Sequence, residues 1–255
     1  MCYTDDARPP LPPIGGAAAE QGDMHLTAAD GTSMMAYFAR AAEPTGAGMV
    51  VLPDVRGLHS FYKELAQRFA EAGIDTLAFD YFGRTAGDGP RDESFEFRPH
   101  VEQTTPQGVA ADVRAAVEFL RSGQMGDVEH VFTVGFCFGG AQSWRQSAAG
   151  HGLAGAIGFY GVPARVREVV PQMEAPLLLL VAGADFTPQE EFQKFDGELT
   201  DAGVEHRMVV YEGAPHSFFD RTFAEHSEAC DDAWRQMLDF IKERSGAARP
   251  AAGQG

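Results

Sequence analysis

Three residues of this chain could share nucleophilic chemistry: a cysteine set between glycines, an aspartate ending an apolar run and a histidine in a short loop. The cysteine is Cys137, within Gly135-Phe136-Cys137-Phe138-Gly139-Gly140. The apolar run VFTV precedes this segment and the helix-forming stretch AQSWRQSAA follows it. Strand, tight turn and helix make a nucleophile elbow, in which the reactive side chain stands on a strained turn above a sheet. Glycines two positions to either side leave room for the neighbouring strand and helix. The helix N-terminus turns its positive end toward the sulfur and favours the thiolate. A buried structural cysteine between glycines is the plainer alternative. No serine has glycine at both −2 and +2, so Cys137 is the one elbow candidate.

Nucleophile, acid, base is the chain order of triads built on such an elbow, and both later positions are filled. Asp185 ends LLLLVAGAD and precedes Phe186-Thr187-Pro188, a strand end opening onto a helix start. A carboxylate there can hold an imidazole by its second nitrogen, fixing tautomer and orientation; the ordinary alternative is a helix-capping aspartate. His216 lies in GAPHSFFD, after the strand-like HRMVVY and before the last helix, where its plainer role is a solvated loop histidine. His206, His226 and His151 sit at a strand start, in a helix and in a glycine-rich turn, while His59 and His100 are possible pocket residues. An oxyanion hole needs a second backbone donor from the loop after the third strand. That loop reads Leu52-Pro53-Asp54-Val55-Arg56-Gly57, so the N–H groups of Val55 and Phe138 form the expected pair.

The elements that must position these residues alternate along the chain. Apolar runs at MHLTA, MMAYFA, MVVLP, DTLAFD, HVFTVGF, AGAIGFY, PLLLLVA and HRMVVY predict eight strands with helices between them. The third to seventh lack polar alternation, as strands covered on both faces do. Helical faces recur at Tyr62, Leu65, Ala66 and Phe69, at Val109, Val113, Ala116, Val117 and Leu120, and at Phe223, Cys230, Trp234, Met237, Leu238 and Ile241. The pattern predicts one α/β domain over residues 23–244, with a mostly parallel eight-stranded sheet and helices on both faces. An extended Pro/Gly/Ala-rich arm is expected over 1–22 and a flexible tail over 245–255. The polar stretch 83–107 shows little helical period and should be a functional loop at the carboxyl edge of the sheet.

Composition bounds the function. The chain has 255 residues, 44% hydrophobic, with 20 Lys+Arg against 37 Asp+Glu and a net charge of −17. That charge repels nucleic acid and anionic membrane surfaces, so no nucleic-acid or membrane partner is expected. Three cysteines, Cys2, Cys137 and Cys230, do not make a disulfide framework. With no apolar signal segment at the N-terminus, a cytoplasmic location is expected.

GFCFGG, AGAD and APHSF, with DYFGR (Asp80 to Arg84) and GFYG (Gly158 to Gly161), resemble the dienelactone hydrolases, or carboxymethylenebutenolidases, of the α/β-hydrolase superfamily, over about residues 24–244. The resemblance implies an α/β-hydrolase fold and hydrolysis of a small carboxylate-bearing enol lactone to a keto acid through an acyl-enzyme. It implies no metal or organic cofactor; a monomer or homodimer is expected. It also implies a carboxylate on the loop after the third strand that modulates the thiol; here that position is Asp54, which could instead cap the loop. Of the arginines that hold the substrate carboxylate, Arg84 matches one. At the other stands Asp220, leaving Arg221 or Arg56 to substitute. A broader esterase or thioesterase with the same triad, and a non-catalytic binding scaffold, are the competing readings.

Overall fold

Apolar runs without alternation form the centre of one sheet, and the amphipathic stretches between them cover its two faces. The computed structural model describes residues 4–220 and 223–246. The strands are β1 (Ala18–Thr27), β2 (Ser33–Ala41), β3 (Ala47–Leu52), β4 (Asp75–Phe79), β5 (His130–Phe136), β6 (Gly155–Phe159), β7 (Leu177–Ala184) and β8 (His206–Pro215). The helices are α1 (Ser60–Glu71), α2 (Gly83–Ala86), α3 (Arg98–Gln103), α4 (Pro106–Arg121), α5 (Phe138–Gln146), α6 (Gln189–Asp201) and α7 (Ser227–Arg244), with 3-10 turns at Pro163–Arg165 and Arg167–Gln172.

Strand order is β1-β2-β4-β3-β5-β6-β7-β8. β2 runs antiparallel to β1 and β4, and the pairs from β4 through β8 are parallel. This is the mostly parallel, eight-stranded α/β sheet expected from the sequence. β3, β4 and β6 are buried at every position, whereas the edge strand β8 is only half-buried over its first five residues. Alternate residues of one strand serve opposite faces. Met49 and Val51 pack with Phe61 and Leu65 of α1 and Trp234 and Met237 of α7. Val50 and Leu52 pack with Val113 and Val117 of α4. Trp144 of α5 and Phe192 and Phe195 of α6 cover Leu177 and Leu179. Each such buried side chain contributes about 2 kcal/mol to folding, so the sheet ends that carry the site rest on a rigid base.

Two boundaries differ from expectation. β1 begins at Ala18, inside the stretch expected to be an arm, because its pairing with β2 from Ala18↔Ala41 to Thr27↔Ser33 holds a segment that is mostly exposed. Residues 83–107 contain α2 and α3 rather than a plain loop. The remaining arm is fastened along its length: Trp234 Nε1 donates to the Pro10 carbonyl at 3.1 Å, and Ala42 N to Ala17 O at 3.0 Å. The expected tail lies mostly outside the described residues. Among those described, no helix is long and apolar enough to cross a membrane.

Candidate active site

β5 ends at Phe136, α5 begins at Phe138, and Cys137 alone makes the turn, at φ 57° and ψ −113°. Its N–H donates to the Phe159 carbonyl at 3.1 Å, and its own carbonyl accepts from Gly140 N at 3.0 Å to start the helix. A left-handed backbone is unfavourable for an L side chain, so close packing must impose it. A Cβ at Gly135 would lie 1.9 Å from the Gly139 oxygen, and one at Gly139 would lie 2.2 Å from the oxygens of Leu52 and Pro53. Only glycine permits this approach. The same contact seats the β3 loop against the start of α5. Cys137 remains partly exposed.

Register brings the next two residues together. Ala184 of β7 and Pro215 of β8 are partners across the sheet, so Asp185 and His216 leave it side by side. His216 Nδ1 lies 2.8 Å from Asp185 Oδ2, with side-chain exposures of 15% and 1%. The other carboxylate oxygen, Oδ1, accepts from Thr187 N at 3.2 Å. That bond closes a local turn ahead of α6, whose N-cap is Pro188 with no side-chain hydrogen bond, so Asp185 is not a helix cap and its other oxygen faces the imidazole. Phe186 and Tyr160 flank the imidazole, with ring centroids 4.4 and 4.8 Å away. Tyr160 follows Phe159, whose carbonyl holds the Cys137 amide, so one short segment touches both ends of the array. Its hydroxyl donates to buried Asp220 at 3.2 Å. Among the described residues, the non-glycine positions at positive φ are Cys137, Tyr160 and Ser217. All three lie just beyond β5, β6 or β8, so backbone strain is concentrated around this site.

The loop after β3 is held from three sides. Asp54 Oδ1 accepts from Arg56 N at 2.9 Å, and Gly57 N donates to Asp54 O at 3.2 Å, closing a turn around Val55. Asp54 N donates to the Tyr62 hydroxyl at 3.0 Å. The Tyr81 hydroxyl donates to the carbonyls of Asp54, at 2.5 Å, and Pro53. With Gly139 abutting Leu52 and Pro53, the segments bearing Val55 and Phe138 meet beside Cys137. Asp54 has the loop-capping role in this arrangement. DYFGR, noted in the sequence for its arginine, supports the loop through Tyr81, and through buried Asp80, which pairs with Arg91 at 2.7 Å.

The arginines depart most from expectation. Arg84 gives Asp112 a bidentate pair, Nε–Oδ2 3.0 Å and Nη2–Oδ1 2.7 Å, and its Nη1 reaches Asp30 Oδ2 at 2.6 Å. Two carboxylates of this chain occupy the fork expected to grip substrate, because α4 and the β1–β2 turn bring Asp112 and Asp30 to it. Arg56 is 1% exposed and pairs with Asp5 of the arm at 2.8 Å. Arg221 lies outside the described residues. Sequence reasoning missed Arg165, whose guanidinium lies 5.7 Å from the centroid of the Phe138 ring, directly after the cysteine. Only its following a strand end marks it in the sequence.

A sequence model of the Dienelactone hydrolase family matches residues 34–245. The Escherichia coli (strain K12) protein named "Putative carboxymethylenebutenolidase" is 28% identical over 235 residues, covering 85% of this chain and 84% of its own. A Bradyrhizobium protein named "Probable 2-oxo-3-(5-oxofuran-2-ylidene)propanoate lactonase" is 25% identical over 228 residues, covering 84% and 90%. The crystal structure of a "Putative Dienelactone Hydrolase" from Klebsiella pneumoniae superposes with a TM-score of 0.75 at 24% identity, covering 88% of this chain and 98% of that one.

Proposed function

Since the chain belongs to the dienelactone hydrolase family and is a hydrolase of ester or lactone bonds, we propose that it works through Cys137 as nucleophile, His216 as base and acid, and Asp185 as the group that orients the imidazole. The observation that carries this reading is the Asp185–His216 pair at 2.8 Å, on strand ends at the same carboxyl edge of the sheet as the cysteine elbow. The Cys137 thiolate attacks the carbonyl carbon, and the oxyanion is held by the amides of Val55 and Phe138. Collapse breaks the C–O bond of the ester or lactone, and the leaving oxygen takes a proton from His216. A water then gives its proton to His216 and attacks the thioester, releasing the acid and restoring the thiolate. With an enol lactone the leaving enol tautomerises to a ketone, so the product is a keto acid.

A carboxylate on the substrate is the finer part of the proposal. Support comes from the Bradyrhizobium relative, whose name denotes a lactonase of a propanoate, and from Arg165 beside Phe138. A broader ester specificity is the second reading, favoured by the occupation of Arg84 by Asp112 and Asp30. Turnover of p-nitrophenyl acetate and of cis- and trans-dienelactone by Cys137→Ala tests the chemistry. Complete loss with all three is expected; retained turnover would move the nucleophile elsewhere. Preference for dienelactone over neutral esters in the unaltered chain tests the substrate class.

A further inference from the structure

We propose that Asp5, on the N-terminal arm, is a positioning residue for hydrolysis, acting through Arg56 on the loop that carries the Val55 amide. The proposal rests on the catalytic reading above, in which that amide holds the oxyanion. One oxygen of Asp5 gathers three elements. Oδ1 accepts from Arg56 Nη2 at 2.8 Å, from His59 Nε2 at 3.0 Å and from the backbone N of Glu93 at 2.9 Å. His59 Nδ1 already accepts from Phe61 N at the start of α1, which leaves the proton on Nε2 to be donated. Glu93 Oε1 in turn accepts from Asp5 N at 2.9 Å. The arm therefore joins the β3 loop, the head of α1 and the segment after β4.

The mechanical link is short. Arg56 is almost wholly buried, and its backbone N–H is bonded to Asp54 Oδ1 in the turn that encloses Val55. A buried guanidinium that loses a carboxylate loses compensation for its charge, and a shift of Arg56 displaces the preceding amide, that of Val55. Asp5 is not a dangling terminus: Arg8 pairs with Glu64 of α1, and Pro10 accepts from Trp234 of α7. The hydrogen bond from His59, with that from Arg56, holds the Asp5 carboxyl below the usual carboxylate range, so the latch is charged at neutral pH. The same contact admits an opposite purpose, in which Asp5 blocks an anion subsite at Arg56. The two differ in sign.

The test uses the full chain with Asp5→Asn and Asp5→Gly on p-nitrophenyl acetate, a neutral ester that needs no anion subsite. We expect kcat to fall about tenfold, the scale of a loosened oxyanion donor, with KM changed less than twofold. Formate should restore kcat to Asp5→Gly, whose cavity admits a carboxylate, and not to Asp5→Asn. Unaltered kcat, a loss without formate rescue that follows a lowered melting temperature, or a lower KM for an anionic ester in Asp5→Asn would each overturn the proposal. Cys137→Ala is run alongside. If it is inactive while Asp5→Gly keeps full kcat, the positioning role alone fails; if it remains active, the catalytic reading fails and takes this proposal with it.

Discussion

Asp185 and His216 stand one residue beyond paired positions of two adjacent parallel strands, and their side chains meet at 2.8 Å. A carboxylate only accepts, so Nδ1 carries the proton and Nε2 is the nitrogen left to exchange one. Asp185→Asn keeps the shape while offering an amide, which can reverse this tautomer. We expect kcat to fall about 10³–10⁴-fold with near-UV circular dichroism and melting temperature preserved. A loss below tenfold would remove Asp185 from the orienting role.

Arg165→Ala tests the cation that lies against Phe138. A charge-assisted hydrogen bond to a substrate carboxylate is worth about 1.5–3 kcal/mol. KM for a carboxylate-bearing lactone should therefore rise roughly tenfold or more, while kinetics on p-nitrophenyl acetate stay level. Equal losses on both substrates would exclude Arg165 as an anchor.

Arg84→Ala should act on stability instead. Asp112 is fully buried, and burial pushes its carboxyl up to about 6 despite the arginine fork. Without Arg84 the carboxylate must stay ionised and unpaired or take up a proton. We expect about 2–3 kcal/mol lost at pH 8 by urea unfolding, and less at pH 5, where protonation relieves the charge. An unchanged unfolding midpoint with a raised KM for anionic substrates would assign Arg84 to substrate binding.

We expect His151 to set part of the acid limit of the fold. Burial pushes its imidazole down to about 4, and Gln146 Oε1 lies 2.9 Å from Nε2. Between the unfolded value near 6.5 and the folded value, the unfolded chain binds a proton that the folded chain excludes. Stability present above pH 6.5 is therefore lost as pH falls toward 4, by up to about 3 kcal/mol. His151→Gln should flatten this slope in urea titrations at successive pH values; a parallel slope would assign the acid sensitivity elsewhere.

What was legible in the sequence followed from local pattern. The buried strands announce themselves because both faces need apolar side chains, and the elbow because close approach at Gly135 and Gly139 tolerates nothing larger. The proximity of Asp185 and His216 was inferable from strand order, since parallel neighbours deliver their carboxyl ends to one edge. Pairings that join distant segments had no such signal. Asp112 lies 28 residues from Arg84, and Asp5 lies 51 from Arg56; a free arginine and a spent one read alike. β1 was cut short because ladder bonds, rather than apolar content, hold Ala18 to Asp23. Asp54 offered both a loop cap and a thiol partner; its Oδ1 makes the cap, and which backbone amide it meets is not written in local sequence.

The turn at Cys137 has one more consequence. Its left-handed φ of 57° costs an L residue roughly 1–2 kcal/mol, and glycine alone would be at ease there. The residue best suited to this backbone therefore carries no side chain, and Cys137→Gly should melt higher than the natural chain in a thermal scan; a lower melting temperature would show that the thiol's contacts outweigh the strain. The elbow thus sets local backbone ease against the presence of any side chain at its tip.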